Sequence, residues 1–416
     1  QTICQPYLAE GRDASTDIGL QPVTPTPCAT DPVAIISAVP EHEKCGVLGS
    51  ITVTWQNGTG PFDIEWTGGS ASGVTSPYEI TGLSAGTYDI TVIAVGSQAT
   101  TTAEVLYLPV TLTSGATVTY HGTISEAITD ASDGDVIDVC AGTYVENLTI
   151  FPVLDLTING PHAGVSGCDP SRGTGEAIIQ GTVTVSGSNA LDYLHFDGFT
   201  IESGISTAIA NVRLKDGGIY NNVIVGDWNG STITPSSKGI STASSSPSVD
   251  QSWTLEGNNI TGYRFGLSLD GNNQLIAANI LENCISVCQR AIQSFGDFHS
   301  GTPDILIQNN VISGNEKGIR LAGGHTSILD NTITNNSVFG IGPGASGVSM
   351  DDLTIERNLI TGNDIGVLFE DEPNSFNNFS FTDNNISSNT TWSVQSILTG
   401  AIDATCNWWG PGDAGD

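Results

Sequence analysis

The 416-residue chain sets 44 Asp and Glu against 11 Lys and Arg, for a formal charge of −33, and it is 38% hydrophobic with 50 glycines. That composition is too apolar and too weakly charged for wholesale disorder. The acidity excludes a nucleic-acid binder, which needs a basic face, and predicts repulsion from anionic membranes and polyanionic sugars.

No apolar run approaches the roughly 18 residues of a transmembrane helix. The single methionine is Met350, so Gln1 reads as the product of processing, with a removed signal peptide the simplest account. Cys4, Cys28, Cys45, Cys140, Cys168, Cys284, Cys288 and Cys406 are an even set in a Lys-poor chain, and so are candidates for disulfides formed in an oxidising compartment. Proximity points to Cys28 with Cys45 and to Cys140 with Cys168. Cys284 and Cys288 have no second Cys/His pair at zinc spacing, so the disulfide reading is preferred to a metal site.

Residues 1–46 are punctuated by Pro22, Pro25, Pro27, Pro32 and Pro40, which remove ladder donors. Their one apolar run, Val33 to Val39, fits either an edge strand of the following domain or a strand donated to a neighbouring molecule. Over 47–112 the period is two. Ile51, Val53 and Trp55 alternate with Thr52 and Thr54, and Tyr88, Ile90 and Val92 alternate with Asp89 and Thr91. Gly58, Gly60-Pro61, Gly68-Gly69, Gly82 and Gly86 mark turns. An Ig-like β-sandwich is expected.

This stretch resembles the gliding-adhesin (SprB-type) repeat of Bacteroidota surface proteins, through Gly58-Thr59-Gly60-Pro61-Phe62, Trp66 and Leu83-Ser84-Ala85-Gly86-Thr87-Tyr88. Phe62 replaces the family's usual Tyr, and Ala94-Val95 stands where Asp is usual, so the copy is divergent. The resemblance implies a spacer or adhesive module without catalytic residues.

From 113 to 416 the pattern changes. Ile124, Ala127, Ile128 and Ala131 form one stripe of a short helix, followed by Asp133-Gly134-Asp135-Val136-Ile137 and Gly142-Thr143-Tyr144. This run resembles the entry of a right-handed parallel β-helix of the pectin-lyase-like superfamily, in which a helix caps the first coil. An Asn-x-Ile repeat follows. Its first positions are Asn222, Asn258, Asn310, Asn331, Asn358 and Asn384, with Ala278-Asn279-Ile280 as a variant copy. Periods in the twenties signify one coil per repeat. Ile224, Ile260, Ile280, Ile312, Ile333, Ile360 and Ile386 are therefore expected to stack in one core row. The asparagines are expected to form a hydrogen-bonded ladder and to accept tight left-handed bends. A second set returns three residues later at Asn283, Asn315, Asn336, Asn363 and Asn389. The longer gaps, 227–252 and 287–303, read as insertions.

No catalytic set is complete. The hydrolases of this superfamily place Asn-Thr-Asp, Asp-Asp, Gly-His-Gly and Arg-Ile-Lys on successive coils. Here Asp351-Asp352 is present, Arg213-Leu214-Lys215 precedes it, and Gly324-His325 is followed by Thr326. Asp351-Asp352 reads as a solvated loop. Glu370, Asp371 and Glu372 are a weak calcium candidate with oxygen ligands, and Arg357 is the nearest cation; no other metal and no cofactor is expected. The six histidines are scattered. Trp228, Trp253, Trp392, Trp408 and Trp409 suit core packing better than a sugar platform. Ala404-Thr405-Cys406-Asn407-Trp408-Trp409-Gly410 resembles a motif at the last coils of surface β-helices, whose proteins often carry a sorting domain for type IX secretion.

The sequence thus predicts an all-β, secreted, cell-surface protein of structural or adhesive role, without enzymatic activity. Its expected partner is itself, in a head-to-tail homopolymer or fibril, with surface glycans as a further ligand and no membrane insertion. The alternative is a polysaccharide lyase or hydrolase, or a glycan-binding protein, on the same scaffold. One observation separates these readings: three carboxylates with a basic residue on one exposed groove would favour the enzyme.

Overall fold

A computed structural model of the chain describes residues 31–150, 155–185, 191–204, 207–212, 214–228, 237–242, 251–270, 275–295, 304–344, 350–369, 377–398 and 402–411. They fall into two units that divide between Leu108 and Pro109. Cys4, Cys28, Arg213, His299 and the Glu370–Glu372 run lie outside the described residues.

The first unit is antiparallel. A three-stranded sheet (Ala34–Glu41, Gly49–Gln56, Tyr78–Leu83) and a four-stranded sheet (Gly69–Val74, Phe62–Trp66, Gly86–Ala94, Ser97–Val105) share one core. Period-two alternation turns Ile51, Val53 and Trp55 inward to meet Ile64, Ile90 and Val92, all buried. The run considered for donation to a neighbour is instead paired in its own chain. Ala34–Glu41 zips antiparallel onto Gly49–Gln56, from Ala34 opposite Gln56 to Glu41 opposite Ser50. The short connection between them makes local closure cheap in loop entropy. The unit therefore starts before residue 47.

It also ends earlier than 112. Val110–Ser114 pairs with Asp135–Val139 of the second unit and forms a hairpin with Thr117–His121. The one helix among the described residues, Ile124–Asp130, opens with a capping box between Thr123 and Glu126 and buries Ile124, Ala127 and Ile128 against the first coil.

Each later coil contributes one strand to each of three parallel sheets, so strands sequentially far apart become neighbours. The first sheet has 12 strands including the hairpin, the second 9 and the third 10. This is a right-handed parallel β-helix. Its core is three inward rows, one per sheet. In the second sheet Ile224, Ile260, Ile285, Ile312, Ile333 and Ile360 are consecutive in register, and Ile386 follows through the Leu359–Asn385 bridge.

Ile280 is a correction to that row. It lies in the first sheet, between Leu255 and Ile307. Asn279 points outward there, and Asn283-Cys284-Ile285 supplies the second-sheet copy. The three-residue pattern occurs twice within eight positions, 278–285, and only the length of the coil decides which copy turns the corner.

The asparagines line two corners. Asn222, Asn258, Asn283, Asn310, Asn331, Asn358, Asn384 and Asn407 each donate from Nδ2 to Oδ1 of the next, as an unbroken ladder. Asn315, Asn336, Asn363 and Asn389 form a second ladder in the same way. The left-handed bend falls on the residue before each member of the first ladder, not on the ladder asparagine itself. Asn221, Glu282, Asn309, Asp330, Arg357, Asp383 and Cys406 all have φ between 53° and 61°, and Gly257 has φ 66°. Asn, Asp and Gly, which tolerate such φ, fill five of these eight places; at Glu282, Arg357 and Cys406 the ladder holds a conformation that the residue itself disfavours.

Candidate functional site

The described insertion, residues 160–176, leaves the first sheet and lies along the corner between the first and second sheets. Gly164 N–H donates to Asp197 (2.9 Å) and Gly167 N–H to Gly257 O (2.7 Å). Arg172 grips Glu176 with two parallel bonds, 2.8 and 2.9 Å, and also donates to the carbonyls of Val165, Asn221 and Phe199. That buried cation is fully occupied in holding the insertion down.

Cys168 then bonds to Cys284, 116 residues away, with Cα atoms 5.7 Å apart. This replaces the pairing of Cys168 with Cys140 expected from proximity. Cys45 and Cys140 are disulfide-bonded as well. Cys288 and Cys406 are corrected to free thiols, one buried and one exposed. Cys288 cannot bond because it turns into the core at the corner position that Asn315 takes one coil on, and its main-chain N–H donates to Asn315 Oδ1 at 2.9 Å.

The remaining polar chemistry gathers on the outer face of the first sheet. His195 and Tyr220 stack there, with ring centroids 4.5 Å apart and planes 25° from parallel. His195 Nε2 is 3.2 Å from Asp197 Oδ2, and Asp197 also accepts from Asn221 Nδ2 at 3.0 Å. Gly217-Gly218 makes the stacking possible. Gly217 has φ 89°, and a Cβ on Gly218 would strike Thr254 O and the Tyr220 hydroxyl. Burial, then the neighbouring Tyr193, Glu256 and Asp216, push the Tyr220 phenol up to about 12, against a hydrogen bond with Thr254. At neutral pH it stays protonated and offers a donor beside an imidazole and two carboxylates.

The arrangement offers a phenol donor and two stacked rings on one face. Asp216 and Glu256 are one strand apart but offset by four residues along the strands, which places their Cα atoms about 14 Å apart. Asp197, by contrast, stands in register with Glu256 two strands on, about 9.6 Å away between Cα atoms.

The structure brings together two fragments that the sequence left separate. His325 Nδ1 is 3.2 Å from Asp352 Oδ2 on the next coil. Asp352 also accepts from Asn378 Nδ2 at 2.8 Å, and Asp351 accepts from Asn377 N–H at 2.6 Å. These carboxylates hold stacked turns together. Arg357 forks onto Asp330 at 2.8 and 3.0 Å. Among the described residues no group of three or more His, Cys, Asp or Glu is placed to hold a metal ion.

The tryptophans do not assemble into a platform. Trp253 is buried in the core, Trp409 packs partly against it, and Trp392 and Trp408 are exposed on different sheets of the last coil. The His195–Tyr220 pair was missed because it requires two coils of unequal length to be in register. The Gly217-Gly218 doublet within a strand was the available signal.

Residues 239–408 match the family described as right handed beta helix region. No curated protein and no solved structure matches the chain. Among the described residues no helix is long and apolar enough to cross a membrane.

Proposed function

We propose that the protein is an extracellular, non-catalytic structural and adhesive component whose copies join end to end into a fibre. One observation carries this reading: apolar side chains are exposed at strand edges on both ends of the β-helix. At the first end the edge strand Thr117–His121 exposes Val118 (48%) and Tyr120 (38%); at the other, Trp392 (55%), Ile397 (57%) and Trp408 (58%) are exposed. Unpaired edges bearing apolar side chains favour pairing with another chain, and a head-to-tail contact that does not close produces a filament. The disulfides support an oxidising, extracellular setting. Electron microscopy and sedimentation of the native protein test the reading, with a Val118→Lys/Tyr120→Lys variant to blunt the edge. Filaments that shorten or vanish in the variant are expected. A monodisperse monomer at all accessible concentrations refutes it.

A second reading, glycan binding on the outer face of the first sheet, is favoured by the stacked His195–Tyr220 pair beside Tyr193, Asp216 and Glu256. Titration of neutral and acidic oligosaccharides against wild type and Tyr220→Ala tests it. Release of reducing or unsaturated ends above a heat-killed control would move the protein to the enzymes.

A further inference from the structure

The second sheet of the β-helix turns an uncharged face outward. Its strands Val223–Gly226, Asn259–Thr261, Cys284–Ser286, Val311–Ser313, Thr332–Thr334 and Leu359–Thr361 follow one another in register. They contain no Asp, Glu, Lys or Arg, in a chain with 44 acidic and 11 basic residues. Charged side chains stand instead at the preceding corner, where Arg357 is paired with Asp330.

The middle residue of each three-residue strand is the core isoleucine, so the first and third point outward. Among the first positions, Val311, Thr332 and Leu359 are in register, and the row continues through Asn385 to Trp408 by two parallel bridges. Val311 (44%), Leu359 (38%) and Trp408 (58%) are exposed. Large apolar side chains thus recur on every second coil, about 9.6 Å apart, with a polar residue between. The third positions, Ser286, Ser313, Thr334 and Thr361, place a half-buried hydroxyl on every coil. Thr334 Oγ1 is 3.1 Å from Ser313 Oγ, and a hydroxyl so bonded keeps a further acceptor site. Cys284 is bonded to Cys168 of the 160–176 insertion, so the open row begins at Val311. From there to Trp408 it spans four coil steps, about 19 Å.

These features define a partner by charge, width and repeat. A polyanion is repelled by a chain of charge −33, and a cation finds no carboxylate within these strands. Two outward columns about 7 Å apart along about 19 Å amount to on the order of 200 Å². A protein partner needs about 800 Å² on each side, so the face suits a single polymer chain and not a second copy. That polymer must be straight and must offer a polar contact at every step and an apolar contact at every second step. An extended β-1,4-linked glycan does so, because each sugar is flipped relative to the one before. Hydroxyls are then presented by every sugar, and the same ring face returns once per disaccharide.

We propose that the second-sheet face from Val311 to Trp408 binds one extended, uncharged β-1,4-linked glycan chain lying along the axis of the solenoid, with about four sugars in contact. The proposal rests on the adhesive part of the reading above and gives it a ligand, on a different sheet from the His195–Tyr220 pair.

The test is calorimetric titration of the full chain with cello-oligosaccharides and N-acetylglucosamine oligomers of two to six units. Glucose and galacturonate oligomers with α-1,4 links are the controls. The variants are Val311→Thr/Leu359→Thr, which keeps branched strand-forming side chains and removes apolar contact, and Tyr220→Ala on the first sheet, each checked by circular dichroism. Binding of either β-1,4 series should strengthen from two units to about four and then level off, and the better series names the source. The Val311/Leu359 variant should lose about tenfold or more, and Tyr220→Ala should bind as wild type. Equal affinity for the α-linked glucose chains, tighter binding of galacturonates, or wild-type affinity in the Val311/Leu359 variant overturns the proposal. Binding lost in Tyr220→Ala and retained in the Val311/Leu359 variant moves the glycan to the first sheet, which refutes this site and upholds the other. No binding of any glycan refutes both sites, whereas the fibre stands or falls on its own test.

Discussion

The side-chain amide of Asn283 donates to Oδ1 of Asn310 at 3.0 Å, and the main-chain N–H of Asn283 donates to the same oxygen at 2.9 Å. Asn310 in turn donates from Nδ2 to Ile280 O at 2.8 Å and to Asn331 Oδ1 at 2.9 Å. All of these atoms are buried, so the ladder supplies partners that water cannot. Asn310→Ala strands two donors of Asn283, whereas Asn331 Oδ1 keeps the main-chain N–H of residue 310. At about 1–3 kcal/mol for each unpaired buried group, the expected loss is about 2 kcal/mol or more, read from the midpoint of urea unfolding. A loss under about 1 kcal/mol, the worth of one ordinary hydrogen bond, would show that the ladder contributes little.

The Cys168–Cys284 bond ties the 160–176 insertion to a coil 116 residues away. In a Cys168→Ser/Cys284→Ser variant the melting transition should fall by the equivalent of about 2–5 kcal/mol. Limited proteolysis should open first within 160–176, while the coils beyond Asn310 stay protected. Cleavage starting in those coils instead would disprove the assigned role.

Hydrogen bonds from Arg357, then from Gln308, hold the Asp330 carboxyl below the usual carboxylate range. A depressed folded-state pKa means stability that is present above the unfolded pKa of about 3.9 and is lost as pH falls through the folded value. Asp330→Asn should therefore be less stable than wild type at pH 7, and the difference should shrink as the pH is lowered past about 4. The pair is largely solvent-exposed, so the effect should be small and should weaken in high salt. A difference that is constant with pH would rule out the ion pair as its source.

Burial pushes the Cys288 thiol up to about 12, whereas Cys406 is exposed. Peptide mapping after alkylation of the native protein should find label on Cys406 and none on Cys288, which should react only after unfolding. Native labelling of Cys288 would place it outside the core.

The β-helix is legible in the order of the residues alone. A coil must bring an apolar residue to each sheet and a polar amide to each corner, and Asn-x-Ile at intervals in the twenties meets that demand wherever it occurs. Sandwich strands were legible for the same kind of reason, through period two in residues such as Ile51, Val53 and Trp55. Tertiary structure decided what depends on coil length. It placed Ile285, not Ile280, in the second row, because both triplets satisfy the local pattern and only the corner distinguishes them. It paired Cys168 with Cys284, since a folded insertion reaches coils that are distant in sequence. It set His195 against Tyr220 across a glycine pair. Lastly, it set Lys238, Phe265, Arg290 and Lys317, residues far apart along the chain, in register at the start of successive third-sheet strands, because their spacing of 25 to 27 residues is close to one turn of the solenoid.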